Sequence, residues 1–472
     1  REYCRVFRQS GNRYMAERAN DVQDIEKLLL AELLGRRQID LSKLDSPIVL
    51  LAHGLTPSET TKLDRDKVLG FVTETGGAGG HVAIVAEALE IPAVVGLGDF
   101  LGDIKWGDTV IVDGNLGRLV IQPDEETLAA YEKQSLARDQ RVVELSCLRE
   151  MPAETVDGER IQLLANIEFP REASRSLDRG AEGIGLYRTE FLYIGTTEEP
   201  SEDEQYAAYK QVAESVEGRP VVVRTLDLGA DKLAATIDHH EERNPFLGLR
   251  SIRLSLRYPD MFRRQLRAIL RASVHGSLRL MFPLISTLVE WNSARAVLDE
   301  IRDELRANHI PFDENIPVGM MVEVPSTIIM LDRFLDDVDF ISIGTNDLVQ
   351  YALGVDRSNK DVAGLYSNAD PAVLRLIEMA VGAASQKNVP VSLCGQMSAN
   401  PMYTMLLLGL GLRTLSVPPV AIPEIKKVCR SVTLDDCRRV ARGAMERESA
   451  LEIRTFLKEE LRKSAPEFAP QA

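Results

Sequence analysis

An α/β protein made of a small domain, a linker helix and a (β/α)8 barrel is what this 472-residue sequence predicts, on three observations. Eight short β-forming runs alternate with helical stretches from residue 157 onward, the pattern of a closed parallel barrel. A compact group of β runs around a glycine-rich turn occupies residues 46–122. Between them, residues 124–151 contain no glycine or proline and carry only a thin apolar stripe, which reads as an exposed helix. The expected divisions are a helical remnant over 1–36, the small domain over 37–123, the linker over 124–152 and the barrel over 153–472.

Residues 15–35, MAERANDVQDIEKLLLAELLG, place Val22, Ile25, Leu28, Leu29 and Leu33 at helical spacing, with Gly35 as the stop. The chain opens at Arg1 inside ordinary folded sequence, so an N-terminally incomplete protein is expected. The small domain reads as the strands PIVLLA, KVLGFVTE, PAVVGL, DTVIVDG and GRLVIQP. His53, after the first of them, reads as a strand-end surface histidine. Between the second and third runs lies TETGGAGGHVAIVAEALEIPAVVG. Its four glycines, Gly76, Gly77, Gly79 and Gly80, precede an alanine-rich helix and put His81 at the helix start. Unpaired N–H groups and the positive helix end favour an anion there, and a histidine beside an anion site suits phosphoryl transfer. The same residues also suit a strand-to-helix turn whose histidine only caps the helix. The stretch by itself does not choose.

The barrel runs are IQLLANI, GIGLYRTE, PVVVRTLD, LRLMFP, VGMMVE, VDFISIGTND, PVSLCGQ and RTLSVPP, separated by helices near 202–216, 260–272, 289–308, 372–386 and 402–408. A doubly wound sheet is the alternative, but eight units favour closure. Residues 434–461 read as helical outer packing.

Composition narrows the function. Hydrophobic residues at 44% and charged residues at 27% suit a globular chain, and a net charge of −16 opposes general nucleic-acid or membrane binding. Phosphate chemistry must then rest on a local arginine cluster. The five cysteines lack metal-type spacing and fit a reducing cytoplasm.

Function in such a barrel sits at the C-terminal strand ends. There the sequence supplies Asn166, Arg188 with Thr189 and Glu190, Arg224 with Asp227, Glu323, Asn346 with Asp347, and Cys394, with Arg357 shortly downstream. Arginine forks hold carboxylate and phosphate, while Glu323 and Asp347 offer hard oxygens suited to Mg²⁺. The implied ligand is a small, multiply charged anion. With a histidine in one domain and an anion-plus-metal barrel in the other, a swivelling domain is implied.

GIGLYRTEFLY, VVVRTLDLGADK, NPFLGLRSIR, LRLMFPLIS, GMMVEVPS, FISIGTNDLVQYALGVDR and SLCGQM resemble the phosphoenolpyruvate-utilising enzyme family, most closely its Enzyme I branch. LTPSETTKLDRDKVLGFVTETGGAGGHVAIVAEALEIPAVVG resembles that family's phosphohistidine domain, and ERANDVQDI the end of the helical domain that docks the carrier protein HPr. The resemblance implies a phosphohistidine domain joined to a TIM barrel. It also implies a cytoplasmic enzyme that moves the phosphoryl group of phosphoenolpyruvate to His81 and on to HPr, as the first step of sugar uptake, and a homodimer through the barrel. It assigns Arg188, Arg224, Asn346, Asp347 and Arg357 to substrate and Glu323 and Asp347 to Mg²⁺. Cys394 becomes the general acid, a thiol near neutral pKa, and Arg250 a second arginine layer.

Two departures stand out. Gly79 and Gly80 replace the hydroxyl residues the family carries before the histidine, and Gln396 replaces an acidic residue after Cys394-Gly395. Alternatives are a nitrogen-regulatory paralogue of Enzyme I, a pyruvate phosphate dikinase or phosphoenolpyruvate synthase relative, and an inactive regulatory scaffold.

Overall fold

Apolar strands bounded by polar ends close here into a cylinder. The computed structural model describes residues 46–55, 67–76, 82, 86, 91–193, 199–229, 242–357, 359 and 361–468. The chain forms two compact units, residues 1–128 and 129–472. The expected helix over 15–35 and the turn carrying Gly77, Gly79, Gly80 and His81 lie outside the described residues.

In the first unit β1 (Ile48–Ala52), β2 (Val68–Thr73) and β3 (Ala93–Val94) make a parallel sheet, and β4 (Val110–Asp113) with β5 (Arg118–Ile121) an antiparallel hairpin. Val72, Val94 and Phe100 form its core, with Leu51, Val112 and Leu119 packed against them. Gly96, at φ +70°, lies so close to the Gly76 carbonyl that a Cβ would stand 2.4 Å from its oxygen. That contact ties the segment after β3 to the first glycine of the histidine turn. Glu74 braces the same place: one oxygen accepts from Phe100 N and Leu101 N at 3.1 Å each, and the other lies 2.7 Å from His53 Nδ1. His53 is exposed at a strand end, as the sequence suggests, but it is held by this carboxylate.

The 22-residue helix Glu125–Ser146 crosses the division between the units. In the second unit a short β6 (Ala153–Glu154) pairs antiparallel with β7 (Arg160–Ile167). The barrel continues through β8 (Ile184–Tyr187), β9 (Val221–Arg224), β10 (Leu278–Phe282), β11 (Val318–Val322), β12 (Phe340–Gly344), β13 (Val391–Cys394) and β14 (Thr414–Val417). Each strand pairs parallel with the next, and β14 pairs with β7, so the eight-stranded barrel is closed.

The outer helices begin where side chains satisfy their first N–H groups. Ser201 with Glu204 and Thr287 with Glu290 form capping boxes, and Asp370 caps the helix Pro371–Lys387. Pro401–Gly409 is apolar on every face and is buried accordingly. The 434–461 stretch is helical as expected, in two helices, Leu434–Met445 and Ala450–Ser464, because Ser449 caps a new start. One expectation needs correction: the run VDFISIGTND is strand only to Gly344, and Asn346 and Asp347 lie in the first turn of the helix Thr345–Leu353.

Lys426 is 2% exposed, and its ammonium donates to three carbonyls, Leu148 O at 3.2 Å, Arg149 O at 3.0 Å and Gly180 O at 3.2 Å. Methionine fills the space but leaves those acceptors without a donor. Lys426→Met is expected to lower unfolding stability by about 2–4 kcal/mol, read by urea denaturation. A loss below about 0.5 kcal/mol would remove this clamp from the account.

Candidate active site

Strand parity carries alternate side chains into the barrel and leaves charged groups at its C-terminal end. Leu186, Val222, Met281, Met321, Phe340 and Cys394 form an apolar layer inside. Above it lies a chain of buried charges. Arg224, the last residue of β9, donates from one terminal nitrogen to Glu190 at 3.0 Å and pairs through the other with Asp227 at 2.7 Å. Asp227 also takes the Arg250 guanidinium at 3.0 Å, and the same Arg250 nitrogen reaches Asp347 at 3.2 Å. These side chains are 6–10% exposed. Burial works against ionising Asp227, yet Arg224 and Arg250 outweigh it and hold its carboxyl well below the usual range. Burial raises Glu190, and the nearby Asp227 adds to the effect, so Glu190 is the first of the two to take a proton.

One donor of this chain is unmatched. Among the described residues the Nε of Arg224 is buried with no hydrogen-bond partner, while its terminal nitrogens are engaged. A buried, unpaired guanidinium N–H calls for an acceptor, and the chemistry it suits is a carboxylate or phosphate oxygen.

Glu323 follows β11 directly. Its Oε1 accepts from Leu284 N at 2.7 Å, and Leu284 holds a left-handed φ of 52° that a leucine seldom takes. Its other oxygen stands where a Cβ on Gly344 would come within 2.6 Å. Among the described residues no basic side chain pairs with Glu323, and burial together with Asp347 drives its carboxyl well above the usual value. Two buried carboxylates, of which among the described residues only Asp347 pairs with a guanidinium, form a site short of positive charge, and hard oxygen donors of this kind fit Mg²⁺. Among the described residues no group of three or more His, Cys, Asp or Glu side chains could hold a metal. Substrate and water oxygens would supply the remaining ligands, the common arrangement for Mg²⁺.

Cys394 ends β13 and is 2% exposed. Its thiol donates to Ile343 O at 3.6 Å and accepts from Ser342 Oγ at 3.5 Å. The expectation of a near-neutral thiol is corrected: burial pushes it up, against the opposing effects of Ser342 and Arg224. Arg188 stands half-buried on the rim, 2.6 Å from Glu168. Asn346 accepts through Oδ1 from Gln396 N at 3.1 Å, and its carbonyl accepts from Tyr366 OH at 3.2 Å. Arg357 is exposed beside Tyr366, and its backbone N–H donates to Gln350 Oε1 at 3.3 Å. Asn166 is bound to Ser416 on the neighbouring strand. The structure therefore gathers Arg224, Glu323, Asp347 and Cys394 with Arg250, keeps Arg188, Asn346 and Arg357 around them, and leaves His81 outside the described residues.

A family model described as "PEP-utilising enzyme, PEP-binding domain" matches residues 143–434, and one described as "PEP-utilising enzyme, mobile domain" matches residues 44–117. Phosphoenolpyruvate-protein phosphotransferases of Bacillus sp. (strain S) and Geobacillus stearothermophilus are each 44% identical over 97% of this chain and 79% of their own length. That of Priestia megaterium is 43% identical over 97% of this chain and 80% of its own. The chain belongs to the phosphoenolpyruvate–protein phosphotransferase (Enzyme I) family. Within that family's barrel, Asp227 and Glu190 are buried participants that the sequence showed only as neighbours of the chosen arginines, while Arg250, expected as a second arginine layer, is buried among them. Their signal was the pairing of a carboxylate with each arginine, in RTE and RTLD.

Glu323 gives a pH signature. A carboxyl raised on folding favours the fold fully below its unfolded value near 4.5, and that contribution is lost as pH rises through the folded-state value. In metal-free protein Glu323→Gln should therefore gain stability over the wild type as pH increases from 5 to 8, by at most about 1.4 kcal/mol per pH unit. A pH-independent difference in thermal denaturation would contradict this placement of Glu323.

Proposed function

We propose that this chain takes the phosphoryl group of phosphoenolpyruvate onto His81 and passes it to an HPr-type carrier protein, releasing pyruvate, as the entry step of sugar uptake. The observation that carries the reading is the unmatched Nε–H of Arg224, buried in a charge network directly above the layer that holds the Cys394 thiol. A trianion with a carboxylate, a phosphate and a carbon to be protonated answers all three features.

Arg224 binds through the side of its fork that protein acceptors leave free, while Asp227 and Glu190 fix the rest of the guanidinium. Arg188 and Arg357 lie on the outer rim, where a phosphoryl group would face the incoming histidine. Glu323 and Asp347 would hold Mg²⁺, which neutralises charge on the substrate oxygens. His81 Nε2 forms the N–P bond as the bond from phosphorus to the enol oxygen breaks. The enolate carbon then takes its proton from Cys394. Burial keeps that thiol protonated, the state a general acid must start from, and the Ser342 hydroxyl is placed to support the thiolate left behind. The apolar layer of Leu186, Val222, Met281, Met321 and Phe340 keeps water from that carbon.

The reading includes a cytoplasmic location and a homodimer formed through the barrel. No helix among the described residues is long and apolar enough to cross a membrane.

Incubation with phosphoenolpyruvate labelled in its phosphate, with Mg²⁺, is expected to give an acid-labile, base-stable label that His81→Ala abolishes. Label arising only from ATP, or surviving in His81→Ala, would overturn the assignment.

A further inference from the structure

Asp227 engages more groups than any other carboxylate of the site. Its two oxygens face two different guanidiniums, Oδ2 to Arg224 at 2.7 Å and Oδ1 to Arg250 at 3.0 Å, and Oδ1 also accepts from the Ser251 hydroxyl. Its backbone N–H donates to Glu190 Oε1 at 3.0 Å, the atom that pairs with Arg224. Ser251 sits at a left-handed φ of 54° and its N–H donates to Leu228 O, which locks the segment carrying Arg250 beside β9. Arg250 in turn touches Asp347 and Tyr351, and Tyr351 OH donates to Phe246 O at 2.5 Å. Two arginines from separate elements, and through them a carboxylate of the metal site, are thus spaced by one side chain.

We infer that Asp227 is a positioning residue for phosphoryl transfer, a carboxylate that sets the distance and orientation between the Arg224 and Arg250 guanidiniums. The inference rests on the proposed phosphoenolpyruvate chemistry and adds a residue to it. Asparagine at 227 offers one acceptor oxygen where two are used and turns an NH₂ group toward a guanidinium. It also removes a negative charge from a buried site, which strengthens the attraction for a polyanion whatever its geometry. Ground-state binding and turnover therefore move apart. Affinity for phosphoenolpyruvate is kept, while the substrate no longer rests at the distance and angle that transfer requires. A side chain that merely supported the fold would lower both together.

The experiment uses the whole chain with Mg²⁺ and compares wild type, Asp227→Asn and Asp227→Glu below their melting temperatures. Phosphoenolpyruvate affinity is measured calorimetrically in the His81→Ala background, and the labelling rate of His81 at saturating phosphoenolpyruvate by rapid quench. Asp227→Asn is expected to bind within about threefold of wild type or tighter and to label at least about tenfold more slowly. Asp227→Glu keeps the charge and is expected to recover part of the rate; should Asp227→Asn fail to fold, a slowed Asp227→Glu with retained affinity decides for the inference. Equal losses of affinity and rate in the folded variants, or an unchanged rate, would overturn it. A wild-type chain that takes no label would overturn the underlying reading and this inference with it, a result distinct from a labelled wild type with indifferent variants.

Discussion

The chain of ion pairs from Glu190 through Arg224, Asp227 and Arg250 to Asp347 is the constraint on which the rest of the site depends. Guanidinium groups this deeply buried would be expelled or would destabilise the barrel without paired carboxylates. Alternating signs along the chain let two guanidiniums stay buried at the barrel mouth beside three carboxylates. Among the described residues the Nε of Arg224 is left without an acceptor, and it is directional. A free N–H on a fixed fork selects geometry as well as charge, which the mobile ammonium of a surface lysine does less well.

The barrel supplies the rigidity. Closure through β14 and β7 fixes the ends of eight strands with respect to one another, and the polar groups are carried on those ends or within a few residues of them. Gly344 shows how closely the elements are fitted, since the absence of a side chain there leaves room for the Glu323 carboxylate and the Met321 thioether. The local cost is visible too. Leu284 and Ser251 both hold left-handed backbone, each next to a charged group of the site, and strain of this kind costs about 1–3 kcal/mol per residue. It persists where packing and hydrogen bonds determine the position more strongly than backbone preference does.

Much of this was legible in the amino-acid order. Runs such as VGMMVE and PVSLCGQ announce a buried strand followed by a polar end, and eight of them in series leave few topologies. The arginines, Glu323 and Cys394 were readable because a core has no use for them at those places. Asp227 was harder. A carboxylate three residues after an arginine pairs locally in many proteins, and nothing in the sequence says that its second oxygen meets Arg250, 23 residues away. The state of the Cys394 thiol was illegible for a related reason, because it follows from three-dimensional burial rather than from its neighbours in the chain. The pairing of His53 with Glu74 spans 21 residues and two strands and could be seen only once β1 and β2 were side by side.

The central claim is that Arg224 acts as an oriented fork and not simply as a positive charge. Lysine at this position keeps the charge and three donors, but gathers them on one tetrahedral nitrogen and lacks the planar fork whose terminal nitrogens take Asp227 and Glu190 while Nε faces another direction. Calorimetric titration of phosphoenolpyruvate with Mg²⁺ into His81→Ala and His81→Ala/Arg224→Lys tests this directly. The account predicts binding weaker by about tenfold or more in the lysine variant; affinities within about twofold of each other would contradict it.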